Sequence, residues 1–598
     1  MEAKNMQRLF TCITALALLQ MSTAPQMRAD TLVPNDTSAH VQSRSGTSQV
    51  YLPLAVHRWP PPPISAELLG VDMGSVNDRG LEFVDLAKTL RTWQKLTADS
   101  CPENDEACRL APLDAAGWPT SNARTVFFDV RPFGAWWSTD QSKCPLCADG
   151  DFQIDVSGRY KLRFNGKATL TIEGGPTVEN QQYLTATNAT TAELVVGAAQ
   201  GLLLVNFKDT VRVPGSTTGS GITNLRLIRP GYPIDTTETW TWQIFKAVEP
   251  FGVLRFMNWT GGNNINPPYD STPGADNTID WSERNTPDRL QPQKDGVAWE
   301  FVIDFANRAQ KDVWINVPVH ASDDYVRGLA TLLKNTLRPE ARIYIEHSNE
   351  VWNSLFWQHA WNRAAAEAEV AAGGSPLNND GSTDRVQWVN RRHAKRLVEI
   401  SNIFGAVFGA NTINTRIRIV ASWFVIRPGE YSDMLNWVQN TYGEPSRFFY
   451  GIAGAPYFNV PATLKASSTL SDVFAALRAS SDITMTQRRV DLARTAGQYS
   501  LKVLTYEGGP DTSAPLQWAR DTNLLLTLIK AHHDPRMKDA IVHDLRDNWY
   551  AHPAIHGDVF IYFTLQSPYN RWGMWGLTED ISRLDGPKFQ AIYALRGP

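Results

Sequence analysis

From Leu68 onward the chain alternates short apolar runs with stretches of helical period. Eight runs are bounded by polar or Gly/Pro-rich segments, as buried strands are. They are Leu68–Met73, Val253–Met257, Val313–Val317, Ile343–Ile345, Ile417–Val420, Tyr450–Ile452, Val503–Tyr506 and Val559–Tyr562. Between them, apolar residues recur at i, i+3 and i+4. Phe83, Leu86, Ala87 and Leu90 predict a helix after the first strand, and Ala298, Phe301, Val302, Phe305 and Ala306 predict another. Val326, Leu329, Ala330 and Leu333 predict a third, opened by Ser322 and Asp323 as cap residues. Val386, Val389, Leu397, Ile400 and Phe404 fit a long fourth helix. From about 120 to 230 the period changes to two. Runs such as Tyr160–Phe164, Ala168–Ile172 and Leu202–Phe207, separated by turn residues, predict a β-rich module of sandwich or small-barrel type.

Alternating strands and helices imply a parallel sheet, and eight units fit an α/β fold of the (β/α)8 TIM-barrel kind. The expected organisation is a barrel start over 63–115, an inserted β-rich domain over 116–232, placed after the first helix, and the remainder of the barrel over 233–598. A doubly wound open sheet is the rival architecture. It would usually bring a G-x-G-x-x-G first turn, which the sequence lacks.

The ends and the cysteines bear on compartment. Lys4 and Arg8 precede an apolar run, Leu9–Leu19, and small residues follow up to Ala29. This predicts a secretory signal over 1–29, the run being short for a bilayer span, although an uncleaved anchor is the alternative. Residues 30–62, rich in Ser, Thr and Pro, read as a linker. Cys12 leaves with the signal. Cys101, Cys108, Cys144 and Cys147 remain, and in an exported chain they predict two disulfides, with local pairing 101–108 and 144–147 favoured over a zinc knuckle. The 598 residues carry 57 Lys+Arg against 61 Asp+Glu, a net charge of −4. That balance gives no electrostatic case for nucleic acid or an anionic membrane. The 21 Trp, 17 Tyr and 24 Phe can be core, but such rings also suit sugars.

Barrel enzymes carry their chemistry at the carboxyl ends of the strands. The second strand ends near Arg255, before Asn258 and Trp259, and the third leads to His320. The fourth is followed by Glu346-His-Ser-Asn-Glu350 and then Trp352, the sixth by Ala455-Pro-Tyr457, and the seventh by Tyr506-Glu-Gly-Gly509. Trp572 and Trp575 follow the eighth. Glu350 and Glu507 thus fall on opposite sides of one barrel mouth. A pair of carboxyl groups, one protonated and one ionised, is what glycosidic bond cleavage requires.

The stretch Ile345-Glu-His-Ser-Asn-Glu-Val-Trp-Asn353 with Tyr506-Glu-Gly-Gly509 resembles the retaining glycoside hydrolases of clan A, and family 5 is the nearest description. The resemblance covers roughly 63–115 and 235–598. It implies Glu350 as acid/base, Glu507 as nucleophile, Asn349 on the sugar 2-hydroxyl, Tyr457 holding the nucleophile, Arg255 keeping Glu507 at low pKa, and His320 touching the acid or a sugar hydroxyl. Trp259, Trp352, Trp572 and Trp575 line sugar subsites or pack the barrel top. Glu346 is read as a buried ion-pair group. The implied activity is a secreted endo-acting β-glycanase on a glucan, mannan or galactan, with a polysaccharide partner and no metal or organic cofactor. Two readings compete with it: a non-catalytic carbohydrate-binding or adhesion protein, and an exo-acting β-glycosidase. His532-His-Asp534 and His543-Asp544 lack metal-ligand spacing and read as solvated surface.

Overall fold

The computed structural model describes residues 63–597 other than 77–78, 103–104, 132–153, 199, 262–277, 289–295 and 520–521. The expected signal (1–29), the linker (30–62) and the Cys144–Cys147 pair lie outside the described residues. Eight parallel strands close into a barrel: β1 (Leu69–Asp72), β9 (Val253–Arg255), β10 (Asp312–Val317), β11 (Ile343–His347), β12 (Ile417–Ser422), β13 (Gly451–Gly454), β15 (Lys502–Thr505) and β17 (Phe560–Tyr562). The strands between β1 and β9 belong to the inserted module, and β14 (Phe458–Asn459) and β16 (Pro510–Asp511) are two-residue strands that pair just after β13 and β15. Ring closure pairs Gly70 with both Ile561 and Val253. Inside the ring Trp314 stacks on Tyr344, with centroids 5.4 Å apart and planes at 9°. Around them pack Val253, Val420, Leu504, Tyr506 and Ile561. The barrel is therefore a filled core, and its open chemistry is confined to its rim.

Helices cover the outside, with their apolar faces turned inward. Helix Asp323–Thr336 starts at Ser322, whose side chain accepts from the Tyr325 amide, and it buries Val326, Leu329 and Leu333. Helix Arg385–Phe408 buries Val389, Leu397, Ile400 and Phe404, but Val386 sits exposed in its first turn, contrary to its expected place in the core stripe. Among the described residues no helix is long and apolar enough to cross a membrane.

The helix expected over Phe83–Leu90 does not form; only a 3-10 turn, Leu86–Lys88, is present. The reason is competition for the backbone. Phe83 bridges Trp240, Asp85 bridges Ile228, and Val84 N donates to Thr239 O. Side chains on both faces of this segment are buried, and the buried pattern imitates a helical period. The barrel's first helix is instead Trp242–Val248. The β-rich module therefore interrupts the connection from β1 to that helix, rather than following the helix. It has two antiparallel sheets. One is β2 (Ala123–Asp129), β7 (Leu202–Val211) and β4 (Lys167–Glu173). The other is β5 (Thr177–Leu184), β6 (Ala189–Val196), β3 (Gly158–Asn165) and β8 (Thr223–Ile228). A disulfide joins Cys101 to Cys108 in the approach to the module.

The expected solvated histidine and aspartate surface holds at the exposed His533 but is corrected at two positions. His532 is buried and shares a 2.9 Å hydrogen bond with Thr512 Oγ1. Asp544 is buried against Arg489, which donates to both its oxygens at 2.9 and 2.8 Å. The Asp544 charge is thus paired with Arg489 inside the fold, and His532 is held neutral by burial.

Candidate active site

Arg255, the last residue of β9, is buried at the centre of the barrel mouth. Its Nη1 donates to Asp72 Oδ2 at 3.1 Å and to Glu507 Oε1 at 2.9 Å. Its Nη2 donates to Glu346 Oε2 at 3.1 Å and to Asn349 Oδ1 at 2.7 Å. One guanidinium thus gathers groups from β1, β11 and the end of β15. A bidentate fork suits this task because its donor directions are fixed. Trp314 Nε1 also donates to Glu346 Oε2, at 3.0 Å. Glu346 is therefore occupied from below and fills the ion-pair role.

The chain above β11 turns sharply. Ser348 and Glu350 both have left-handed backbones, with φ of 61° and 42°. Such conformations cost non-glycine residues on the order of 1–3 kcal/mol each and persist only where surroundings hold them. Here Asn316 Nδ2 holds Ser348 O at 2.7 Å, and Gln358 Nε2 holds Asn349 O at 2.7 Å. The turn presents Asn349 to Arg255 and leaves Glu350 with two contacts. Asn353 Nδ2 lies 2.9 Å from its Oε2, and the Tyr506 hydroxyl lies 3.4 Å from its Oε1. Trp352 Nε1 donates to that hydroxyl at 3.2 Å, while its indole stacks on Phe424 with centroids 4.1 Å apart.

Glu507 leaves β15 beside two glycines. A Cβ on Gly508 would lie 2.5 Å from the Phe560 ring, and Gly509 has a φ of +130°, so side chains are excluded at both positions. Arg255 holds one carboxylate oxygen of Glu507, and the Tyr457 hydroxyl donates to the other at 2.9 Å. Tyr457 is positioned from behind. Pro456 O accepts from Arg489 Nη2 at 3.1 Å, and Arg489 is fixed by Asp544.

Both carboxyl groups lie well above the usual carboxylate range. Burial, with Glu346 nearby, pushes Glu350 up to about 7. Burial, opposed by Arg255 and assisted by Glu350 and Asp72, pushes Glu507 up to about 8. The expectation that Arg255 keeps Glu507 at low pKa is thus corrected: its single charge is divided among Asp72, Glu346 and Glu507. The two carboxyls titrate as a pair that retains a proton near neutrality. The hydrogen bonding favours the ionised form more strongly at Glu507 than at Glu350. Each Glu507 oxygen receives a short bond, one of them from a cation, whereas Glu350 receives a neutral amide and a long hydroxyl contact.

Other expected site residues behave differently. His320 is buried and makes no hydrogen bond to Glu350. Its ring packs edge-on to Trp357 at 5.3 Å and Trp361 at 6.3 Å, neither ring nitrogen has a hydrogen-bond partner among the described residues, and burial lowers its pKa to about 4. Trp259 is removed from any substrate surface: it is fully buried and stacks on Trp240 at 5.4 Å, in an aromatic cluster with Phe256 and Phe305. Trp575 packs with Met257, Phe563 and Tyr457 and lends its hydrogen bond to Asp511, which makes it a wall behind Tyr457. Trp352 and Trp572 are half-buried. Asp72 and Tyr506 were missed. Asp72 ends β1, so the strand-end rule applied to the first strand finds it; Tyr506 points into the barrel, and nothing in the sequence marks its reach to Glu350. Among the described residues no group of three or more His, Cys, Asp or Glu side chains is arranged to hold a metal ion.

No family model matches the chain, and no curated protein matches it. Among solved structures it is similar to a 4-O-α-L-rhamnosyl-β-D-glucuronidase from Fusarium oxysporum 12S, with 12% identity and a TM-score of 0.31, over 59% of this chain and 63% of that one. It is also similar to the β-glycosidase from the hyperthermophile Thermosphaera aggregans, with 9% identity and a TM-score of 0.31, over 59% of this chain and 84% of that one. The chain thus spans somewhat under two thirds of the first structure's length.

Proposed function

We propose that this protein is a secreted retaining glycoside hydrolase of clan A, family 5-like, that cleaves β-glycosidic bonds within a glucan, mannan or galactan. One observation carries the reading. Two buried carboxyls share one barrel mouth, one of them gripped at both oxygens by Arg255 and Tyr457, the other free to keep a proton. This is the division of labour that double displacement requires. In the first step Glu507 attacks the anomeric carbon. The bond to the leaving oxygen breaks as Glu350 gives that oxygen its proton. In the second step Glu350 takes a proton from water, the water oxygen attacks the same carbon, and Glu507 departs as carboxylate. Asn349, whose Oδ1 is held by Arg255, contacts the sugar 2-hydroxyl in this reading. The reaction calls for no cofactor.

The test is reducing-end release from soluble mixed-linkage β-glucan, glucomannan and β-galactan by the wild type, Glu350→Gln and Glu507→Gln. Hydrolysis of one polymer that falls by about 1,000-fold or more in each variant supports the reading, on the scale of losing a general acid or a nucleophile. Equal rates in both variants and the wild type overturn the roles. Binding of a polymer without hydrolysis by the wild type favours the adhesion reading.

A further inference from the structure

A second cavity lies away from the two glutamates. It has a volume of about 460 Å³, within the range of roughly 300–1,000 Å³ typical of ligand sites. One wall comes from the module, at Trp118 and at Asn224–Arg226 of β8; the other comes from Asp85, Ala87, Lys88, residues 236–239 and Phe301. Residues 85–88 follow β1, 236–239 precede the first helix, and Phe301 opens the helix after β9. In a parallel barrel all strand-to-helix connections lie at the carboxyl end of the strands. Its barrel wall is thus built from strand-to-helix connections and a first helical turn, which belong to the carboxyl end of a parallel barrel, the end that carries Glu350 and Glu507.

Its chemistry is mixed. The Trp118 indole and the Phe301 ring are half-buried and line it. The Lys88 ammonium stands 5.3 Å from the Phe301 centroid and has no hydrogen-bond or ion-pair partner at contact distance among the described residues. Asp85, the nearest acid, is already engaged by Arg226 at 3.2 Å and by the Leu227 and Ala87 amides at 3.0 and 3.1 Å. Glu238 is held by Arg308 at 2.6 Å. Burial lowers the pKa of Lys88, so a hydrogen-bond acceptor beside it would be favourable. Lys88 and Arg226 are balanced by Asp85, Glu238 and Asp288, which leaves no positive excess to select an anion. The Trp118 face, near a Lys88 ammonium that rests over the Phe301 ring and has no hydrogen-bond acceptor among the described residues, suits a neutral pyranose, whose C–H face stacks while its hydroxyls accept.

We infer that this cavity between module and barrel holds a neutral pyranose unit of the same glycan chain whose scissile bond lies at Glu350 and Glu507. The identity of the ligand rests on the hydrolase reading; the cavity itself does not. The inserted module is then one half of a distal anchoring site that favours long chains over short ones.

The experiment uses the full-length protein carrying Glu507→Gln, run by electrophoresis through gels containing mixed-linkage β-glucan, glucomannan or β-galactan. Trp118→Ala and Lys88→Met are each added to that background, and each is also made in the active enzyme. The expected result is retardation by one polymer that weakens about fivefold in apparent dissociation constant in both variants. In the active enzyme their turnover on the shortest cleaved oligosaccharide stays within about twofold of wild type. Unchanged retardation in both variants overturns the inference, as does equal loss of turnover on short and long chains. If the wild type cleaves none of the polymers, the hydrolase reading fails. Retardation lost in Lys88→Met would then still support the cavity, and absence of retardation by every polymer would overturn it.

Discussion

Tyr457→Phe isolates one of the two contacts that favour the ionised form of Glu507. The Tyr457 hydroxyl donates to Oε2 at 2.9 Å, and Arg255 holds Oε1 at 2.9 Å. A hydrogen bond to a charged group contributes about 1.5–3 kcal/mol. Most of that favours the carboxylate over the carboxylic acid, and one pKa unit corresponds to about 1.4 kcal/mol. Removing the hydroxyl therefore raises the pKa of Glu507 by roughly 1–2 units. The sign is fixed: a less stabilised anion binds its proton more tightly, so the acid limb of the pH profile of kcat/KM moves to higher pH. On the acid side of the profile kcat/KM falls about 10–100-fold, and less on the alkaline side. The assay is reducing-end release against pH on whichever soluble β-glycan the wild type cleaves, with thermal unfolding as a control for folding. A limb that stays within about 0.3 unit of wild type, with kcat/KM unchanged below it, would refute the claim that Tyr457 and Arg255 jointly set the charge of Glu507.

Three further outcomes follow from the geometry. Glu350 is raised from 4.5 to about 7 in the fold, so the folded state binds more protons than the unfolded chain between those values. Its contribution to stability is therefore present at low pH and lost as pH rises through about 7; Glu350→Gln should melt above the wild type at about pH 9, with the difference vanishing near pH 4.5. Asp544→Ala leaves the buried Arg489 guanidinium without its charge partner. It should cost about 3–5 kcal/mol in denaturant unfolding, largely restored by the double replacement Arg489→Met with Asp544→Leu. Cys101 and Cys108 close a loop with a sequence separation of 7. Peptide mapping without reduction should recover that pair, and Cys101→Ser with Cys108→Ser should cost about 2 kcal/mol.

What the sequence discloses follows from where the information is local. All eight barrel strands are visible because a strand buried on both faces must be an apolar run, and the turns that bound it are polar. Glu350, Glu507, Arg255 and Tyr457 are visible because a barrel brings its strand ends together, whatever their separation along the chain. Phe83–Leu90 misleads because a segment trapped between module and barrel buries residues on two sides, and the resulting spacing imitates a helix. Trp259 misleads because its position after a strand says nothing of which way the indole turns; Trp240 and Phe305 claim it for the outer layer. The charge of Glu507 is illegible for another reason. It depends on how many acids share Arg255, and Asp72 and Glu346 join that count only in three dimensions.

The claim that Glu507 attacks sugar while Glu350 handles the proton is tested most directly by trapping the covalent intermediate. The protein is incubated with the 2,4-dinitrophenyl 2-deoxy-2-fluoro-β-glucoside, -mannoside and -galactoside, whose fluorine slows both steps and whose leaving group needs little acid assistance. Peptide mass mapping should find one fluorosugar, bound through an ester to Glu507, in the wild type and in Glu350→Gln. A label on a side chain other than Glu507 would contradict the account.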